Sequence, residues 1–251
     1  MGWQTRRRGR ERILVFGGAK TGKSTTAIDI ARNVHPHKVY VVDTDYAYDV
    51  MIDDAGDNLE VIPIDLEDWD GLMREVTRVG QSMGTEDWLV IDSMSPTWDM
   101  VQGAFIAKIF QKDVDEYFME ARARSKGTQL EGLEGWKDYS VINKMYAKLY
   151  AAIYRAKGHV LMTAEGDSVS KEDGKEVKDM FGRLGKKPKG QKRLPFVPHT
   201  VLYLAKKGPG NYTVTTVGDR ARVELVDATM GEGFSKTYLW NVGGWRPARG
   251  G

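Results

Sequence analysis

An apolar run, Ile13-Leu-Val-Phe16, passes directly into GGAKTGKS at residues 17–24 and on into a helix-forming stretch that begins near Lys23. The pattern GxxxxGK[ST], set between a strand and a helix, requires a sharp strand–loop–helix turn whose successive backbone N–H groups point to one centre. Such a turn holds phosphate. Amides and the positive end of the following helix cradle the β- and γ-phosphates, while Lys23 adds a point charge and the Ser24 hydroxyl ligates Mg²⁺. Glycines at 17, 18 and 22 let the chain wrap closely around an anion. The expected nucleotide-binding set is therefore Gly17, Gly18, Ala19, Lys20, Thr21, Gly22, Lys23, Ser24 and Thr25.

The 251 residues fit one α/β domain with a buried core. The absence of cysteine excludes a disulfide scaffold and thiolate metal sites. No apolar run approaches the roughly 20 residues of a spanning helix, and the arginine-rich start has no apolar segment of a secretory signal. A soluble, cytoplasmic protein with no membrane partner is expected. Formal charge is only +2, so a nucleic-acid partner has to be argued from where charge clusters. One cluster is Arg6, Arg7, Arg8, Arg10 and Arg12, which reads as a flexible basic arm over 1–12 ahead of a single domain at 13–251.

Strands are expected at 13–16, 39–43, 61–64, 87–92, 159–163 and 199–205, the last turning at Gly208-Pro-Gly-Asn211 into 212–217 as a C-terminal β-hairpin. Pro63 makes 61–64 an edge strand. Helical patterns at 66–81, 100–124 and 136–157 lie between them, with His35-Pro36 ending the first helix and a Gly-rich joint at 127–135. Alternation of this kind implies a mostly parallel central sheet with helices on both faces, and ligands at the carboxyl ends of its strands. The aromatic residues Trp136, Tyr139, Tyr146, Tyr150 and Tyr154 read as a packing face, and Trp240 and Trp245 as anchors for a final strand or a partner subunit.

The strand-end rule selects acids. Asp92 closes an apolar strand and is placed to hold Mg²⁺ opposite Ser24. Asp43 and Asp45 flank Thr44 and point the same way, so that one of them, Asp45 foremost, can polarise an attacking water. Glu165 follows the 159–163 strand, either sensing the γ-phosphate or standing as a solvated loop acid.

These segments resemble RecA-like P-loop ATPases. Val42-Asp-Thr-Asp-Tyr-Ala-Tyr-Asp49 resembles the segment carrying the family's catalytic carboxylate, placing it on Asp45, with Asp43 and Asp49 as alternatives; the family usually has glutamate there. Leu89-Val-Ile-Asp-Ser93 looks like the magnesium strand, and Val160-Leu-Met-Thr-Ala-Glu165 takes the place of the γ-phosphate-sensing strand, with Glu165 where glutamine is usual. A carboxylate there repels a γ-phosphate unless it is protonated or bridged by a cation. In size the chain looks most like the compact phage-encoded RecA-like ATPases that work beside single-strand-annealing proteins.

The resemblance implies ATP and Mg²⁺ as cofactors and a homo-oligomer, ring or filament, with ATP between subunits. A basic residue from a neighbour would complete the site, with Arg220 the candidate and Lys206 and Lys207 competitors. It also implies that the 166–193 loop contacts single-stranded DNA through Arg183, Lys186, Lys187, Lys189, Lys192 and Arg193, as flexible cations tracking phosphates. Phe181 is the nearby stacking surface. The implied activity is ATP hydrolysis by Lys23, Asp45 and Glu165, coupled to DNA recombination or annealing, with a single-strand-annealing or single-strand-binding protein as a candidate partner. Two other readings are a nucleotide or small-molecule kinase with 183–193 as a basic lid, and a nucleotide-gated assembly module.

Overall fold

The computed structural model describes residues 3–5, 9–51, 56–124, 135–220, 222 and 224–247. In chain order its strands are β1 (Trp3–Thr5), β2 (Arg12–Gly17), β3 (Val39–Asp43), β4 (Leu59–Pro63), β5 (Trp88–Asp92), β6 (His159–Ser168), β7 (Lys186–Pro188), β8 (Thr200–Gly208), β9 (Asn211–Asp219), β10 (Ala228–Thr229) and β11 (Trp245–Pro247). Its α-helices are α1 (Thr25–Asp29), which continues as a π-helical turn over Ile30–Val34, then α2 (Trp69–Ser82), α3 (Thr97–Phe110), α4 (Val114–Arg124), α5 (Gly135–Arg155) and α6 (Lys175–Phe181).

Six strands run parallel in the order β8-β2-β6-β5-β3-β4, and β9 and β10 extend the β8 side antiparallel. The central strand β2 is buried throughout, because helices cover both faces of the sheet. One core lies between the sheet and helices α2, α3 and α5; the other packs against α1, its π-helical extension and the turn Ser235–Trp240. Each wholly buried Ile, Leu, Val or Phe contributes about 1.5–3 kcal/mol, so this two-sided burial dominates the stability.

The expected α/β architecture, mostly parallel with helices on both faces and a C-terminal hairpin, is the architecture found. β4 is an edge strand ending at Pro63. Helix α2 starts where Asp68 accepts a hydrogen bond from the Gly71 amide, which satisfies one of the free donors at a helix start. The long helix expected over 100–124 is two helices. Gln111 takes a left-handed conformation at φ 55° and closes α3 by donating to the Ala107 carbonyl, turning the chain before α4. The joint at 127–135, apart from Gly135, lies outside the described residues, as do Arg6, Arg7 and Arg8. Tyr146 and Tyr150 are core residues, Tyr146 stacking on Trp69, whereas Tyr139 and Tyr154 are exposed.

The idea of an unstructured arm reaching residue 12 needs correction. Trp3–Thr5 pairs antiparallel with Trp245–Pro247, and Arg12 opens β2 with its guanidinium buried. That guanidinium donates to the carbonyls of Glu11, Gly158 and Ala156, each at 2.7 Å, and Arg10 adds a bond to Ala156. Carbonyls left open beyond the C-terminus of α5 attract these cations, so local charge density is a misleading guide to disorder here. Alongside, buried Glu11 receives two bonds from Arg222 Nη2 at 2.8 Å and one from the Trp245 indole at 3.2 Å. Its amide donates to Nδ1 of His159, whose ring packs against Trp88 and Trp245, themselves in contact.

Burial, with the nearby charges of Arg12 and Arg10, lowers the His159 pKa to about 3. The unfolded chain therefore takes up this proton near pH 6.5 while the folded chain stays neutral down to about 3. Stability should be fully present above pH 6.5 and decline as pH falls from there towards 3, by at most about 1.4 kcal/mol per pH unit from this group. Urea unfolding across that range measures the slope, and His159→Phe should flatten it even though it lowers stability at neutral pH.

Candidate functional site

The end of β2 sits between β6 and β8, with Gly17 in register with Glu165 on one side and Leu204 on the other. A Cβ at Gly17 would stand 2.3 Å from the Leu204 carbonyl oxygen, so only glycine lets the chain leave the sheet here. The turn that follows uses left-handed backbone at Lys20 and Gly22, with φ of 57° and 92°. Thr21 Oγ1 donates to the Gly18 carbonyl and Thr26 Oγ1 to the Gly22 carbonyl, both at 3.0 Å, which fix the loop from within. Lys23 Nζ lies over the loop and donates to the carbonyls of Gly18 (2.8 Å) and Gly17 (3.3 Å).

Three acids singled out from the sequence converge on this ammonium. Burial lowers the Lys23 pKa, and the charges of Asp92, Glu165 and Asp45 oppose that fall. Asp92 is 1 % exposed at the tip of β5, where the Thr163 hydroxyl donates to Oδ1 while Oδ2 has no hydrogen-bond partner among the described residues. Burial pushes its pKa up, partly offset by the hydroxyls of Thr163, Ser24 and Tyr48. A buried carboxylate oxygen left open beside a hydroxyl and a phosphate loop is chemically suited to a divalent cation. Among the described residues no group of three or more His, Asp or Glu side chains could hold a metal, so the donor set suits an ion that brings phosphate and water ligands with it.

At the end of β3, Asp43 is buried and accepts from the amides of Asp45 (3.2 Å) and Tyr48 (3.3 Å), which makes it the organiser of the Ala47–Val50 turn. Asp45 and Asp49 are exposed. Partial desolvation, then the charge of Asp92 and the proximity of Asp43, raise the Asp45 pKa to about 6. Two residues without a role in the sequence reading hold these acids in place. Thr44, fully buried, donates from its amide to the Asp92 carbonyl (2.7 Å), while its hydroxyl donates to the Ser93 carbonyl (3.0 Å) and accepts from the Ser93 amide (2.8 Å). Tyr48, also buried, donates from its hydroxyl to the Ser24 carbonyl at 3.1 Å.

Glu165 lies beside Gly17, and its carboxylate accepts from Lys189 Nζ at 2.8 Å. The Lys189 amide also donates to the Glu165 carbonyl, and Ser95 Oγ accepts from the Glu165 amide while donating to the Lys189 carbonyl. The expected flexible 166–193 loop is accordingly an anchored excursion, because β7 pairs antiparallel with the end of β6 and α6 packs beneath it. Lys187 pairs with Asp173 and Lys186 donates to Ser168, while the side chains of Arg183, Lys192 and Arg193 form no hydrogen bond or ion pair among the described residues. Phe181 cannot stack on a base: it is wholly buried, edge-on to Phe16 at 5.7 Å.

A cavity of 690 Å³ adjoins the loop, with Val50, Met51, Tyr212, Met230 and Phe234 on its far walls. Its volume and mixed lining suit a nucleotide, the phosphates on the loop and the apolar part beyond. Sequence reading missed these far-wall residues, since they carry no motif and meet only through the fold. Arg220 stands elsewhere, its amide bonded to the His199 carbonyl at the amino end of β8, across the sheet from the loop. Lys207 pairs with Asp227, and Lys206 lies 5.6 Å from the Tyr212 ring. Replacing Thr44 with valine strands the Ser93 amide in the interior, so stability should fall by about 1–3 kcal/mol in chemical denaturation. Nucleotide hydrolysis should fall further than ADP affinity.

The solved RadB recombinase is similar in fold at TM-score 0.52 and 15 % identity, covering 87 % of this chain and 86 % of that one. An ATPase of a bacterial type III secretion system matches at TM-score 0.42 and 12 % identity over 78 % of this chain and 52 % of the other, too little for an inference. No curated protein matches. The family model described as an AAA domain matches residues 10–221. Loop, acid-tipped strands and sheet thus agree with that match, and the chain belongs to the AAA domain family, with the fold of a RecA-like P-loop ATPase.

Proposed function

We propose that the protein is a Mg²⁺-dependent ATPase that binds single-stranded DNA and couples turnover to its grip on the strand, in DNA recombination or annealing of the phage type. The observation that carries this reading is the Glu165–Lys189 pair, which ties the strand next to Gly17 to the cation-bearing excursion. The repulsion expected between a carboxylate and a γ-phosphate is answered here by a bridging cation from that excursion.

In this mechanism Lys23 and the loop amides stabilise the transferring phosphoryl group, and Asp45 orients the attacking water. Ser24 and Asp92 would hold Mg²⁺, which neutralises charge on the phosphate oxygens when bound. Arg183, Lys192 and Arg193 are the cations with the most freedom to meet a DNA backbone, with Lys186, Lys187 and Lys189 nearer the sheet. Homo-oligomerisation with ATP between subunits would let Arg220, which stands at the amino end of β8 away from its own chain's loop, serve a neighbouring site. The named RadB neighbour is a recombinase, which agrees with this class of work. A kinase lid is less well supported, because β7 fastens 186–188 to the sheet.

ATP hydrolysis with Mg²⁺, with and without single-stranded DNA, tests the proposal on the parent and on a variant neutralised at Arg183, Lys186, Lys187, Lys189, Lys192 and Arg193. Stimulation should appear in the parent, weaken steeply with salt and vanish in the variant. No response at any salt overturns it; ADP formed only with a phosphoryl acceptor indicates the kinase, and assembly in ATP without turnover the assembly module. A second expectation follows from Asp45, which must be ionised to draw a proton from the attacking water. In the parent kcat/KM should fall as pH drops through about 6, and Asp45→Asn should remove that acid limb along with most of the rate while retaining ADP binding.

A further inference from the structure

A second cavity, of 640 Å³, lies between the start of α3 and the excursion bearing α6 and β7. Trp98 and Phe196 line it; Trp98 is braced edge-on by Tyr146 at 5.5 Å, and Phe196 is 38 % exposed. The charged lining is divided. Five carboxylates (Asp99, Asp167, Glu172, Asp173 and Glu176) face four cations (Lys187, Lys189, Lys192 and Arg193). Lys187 is committed to Asp173 and Lys189 to Glu165, which leaves Lys192 and Arg193 as the cations without a carboxylate partner among the described residues.

This lining decides what can enter. A phosphate inside the cavity would meet Asp99, Asp167, Glu172 and Glu176, none of them neutralised by an ion pair among the described residues. A neutral, flat group with N–H donors meets no such repulsion: its face suits the aromatic walls and its amino hydrogens suit the carboxylates. Phosphates on either side of it would remain outside, at Lys192 and Arg193.

We propose that this cavity receives one unstacked nucleobase of a bound single strand, stacked against Phe196 and Trp98 with its amino edge towards the carboxylates. The inference rests on the DNA-binding reading above and adds a base preference to it: bases that carry an exocyclic amino group (cytosine, adenine and guanine) over thymine, which has none. Ser95 joins the cavity to the nucleotide site, bonding to Glu165 on one side and Lys189 on the other, so an inserted base sits one hydrogen-bonded residue away from the strand beside Gly17.

Fluorescence anisotropy on the full chain with Mg²⁺ and a non-hydrolysable ATP analogue tests this, using short labelled strands of dC, of dT and of abasic deoxyribose phosphate. The parent should bind dC about tenfold more tightly than dT, and the abasic strand more weakly than either. Phe196→Ala should lower dC affinity about tenfold and remove the dC preference, Phe196→Tyr should restore both, and ADP binding should confirm that each variant is folded. The base pocket is overturned, with DNA binding intact, if the abasic strand binds as tightly as dC or if folded Phe196→Ala binds dC like the parent. If the parent binds none of the strands at any salt, the DNA reading itself fails and this inference fails with it.

Discussion

The close approach of backbone at Gly17 is the constraint on which the site depends. β2 is held in register by β6 and β8 at once, and the position where it must turn out of the sheet leaves no room for a Cβ, given the Leu204 carbonyl 2.3 Å from where one would lie. The same register sets Glu165 beside the root of the loop and puts the tips of β5 and β3 on the far side of β6. A wider residue at 17 would part β2 from β8 and shift the loop relative to every acid that faces Lys23. Sheet packing and phosphate geometry are therefore one constraint rather than two.

Around that loop the protein concentrates negative charge in a place of low dielectric. Buried Asp92 and exposed but partly desolvated Asp45 both have raised pKa values, desolvation leading in each case and neighbouring carboxylates adding to it. Lys23 relieves part of this, and Lys189 relieves Glu165. A cation in the cleft would relieve the remainder, which is why the open Oδ2 of Asp92 is informative: the carboxylate is costly as folded and would become favourable beside a positive ligand. Thr44 and Tyr48 keep the repelling strand tips from drifting apart, through bonds made by uncharged groups that do not alter the charge balance.

The sheet and the phosphate loop were legible in the sequence because both rest on local pattern. Continuous apolar runs such as 87–92 and 159–163 mark buried parallel strands, and GxxxxGKS fixes its own turn. Asp92 was legible for the same reason, as an acid closing such a run. What failed to show was whatever depends on register between distant segments: Thr44 reaching Ser93, Ser95 reaching Glu165, and Tyr212 meeting Met51 across the nucleotide cavity. The basic segments misled in a consistent way. Arg12 and Lys187 look solvated from their neighbours in sequence, yet one satisfies carbonyls beyond α5 and the other an aspartate fourteen residues away.

The anchoring of the excursion changes how ligand binding could be felt at a distance. A free loop of lysines would gain DNA affinity only by ordering itself, at an entropic cost of about 1–2 kcal/mol per backbone residue fixed. Here β7 is already paired to β6 and Phe181 is already in the core, so most of that ordering would precede the proposed binding. The adjustable element is smaller: an exposed Lys189 side chain shared between Glu165 and whatever anion comes near it. Exposed ion pairs are worth only about 0–1 kcal/mol, so exchanging one partner for another is cheap in either direction. A cheap exchange at the root of the excursion, beside a paired strand, would allow the proposed nucleotide site and basic surface to influence each other without unfolding anything between them.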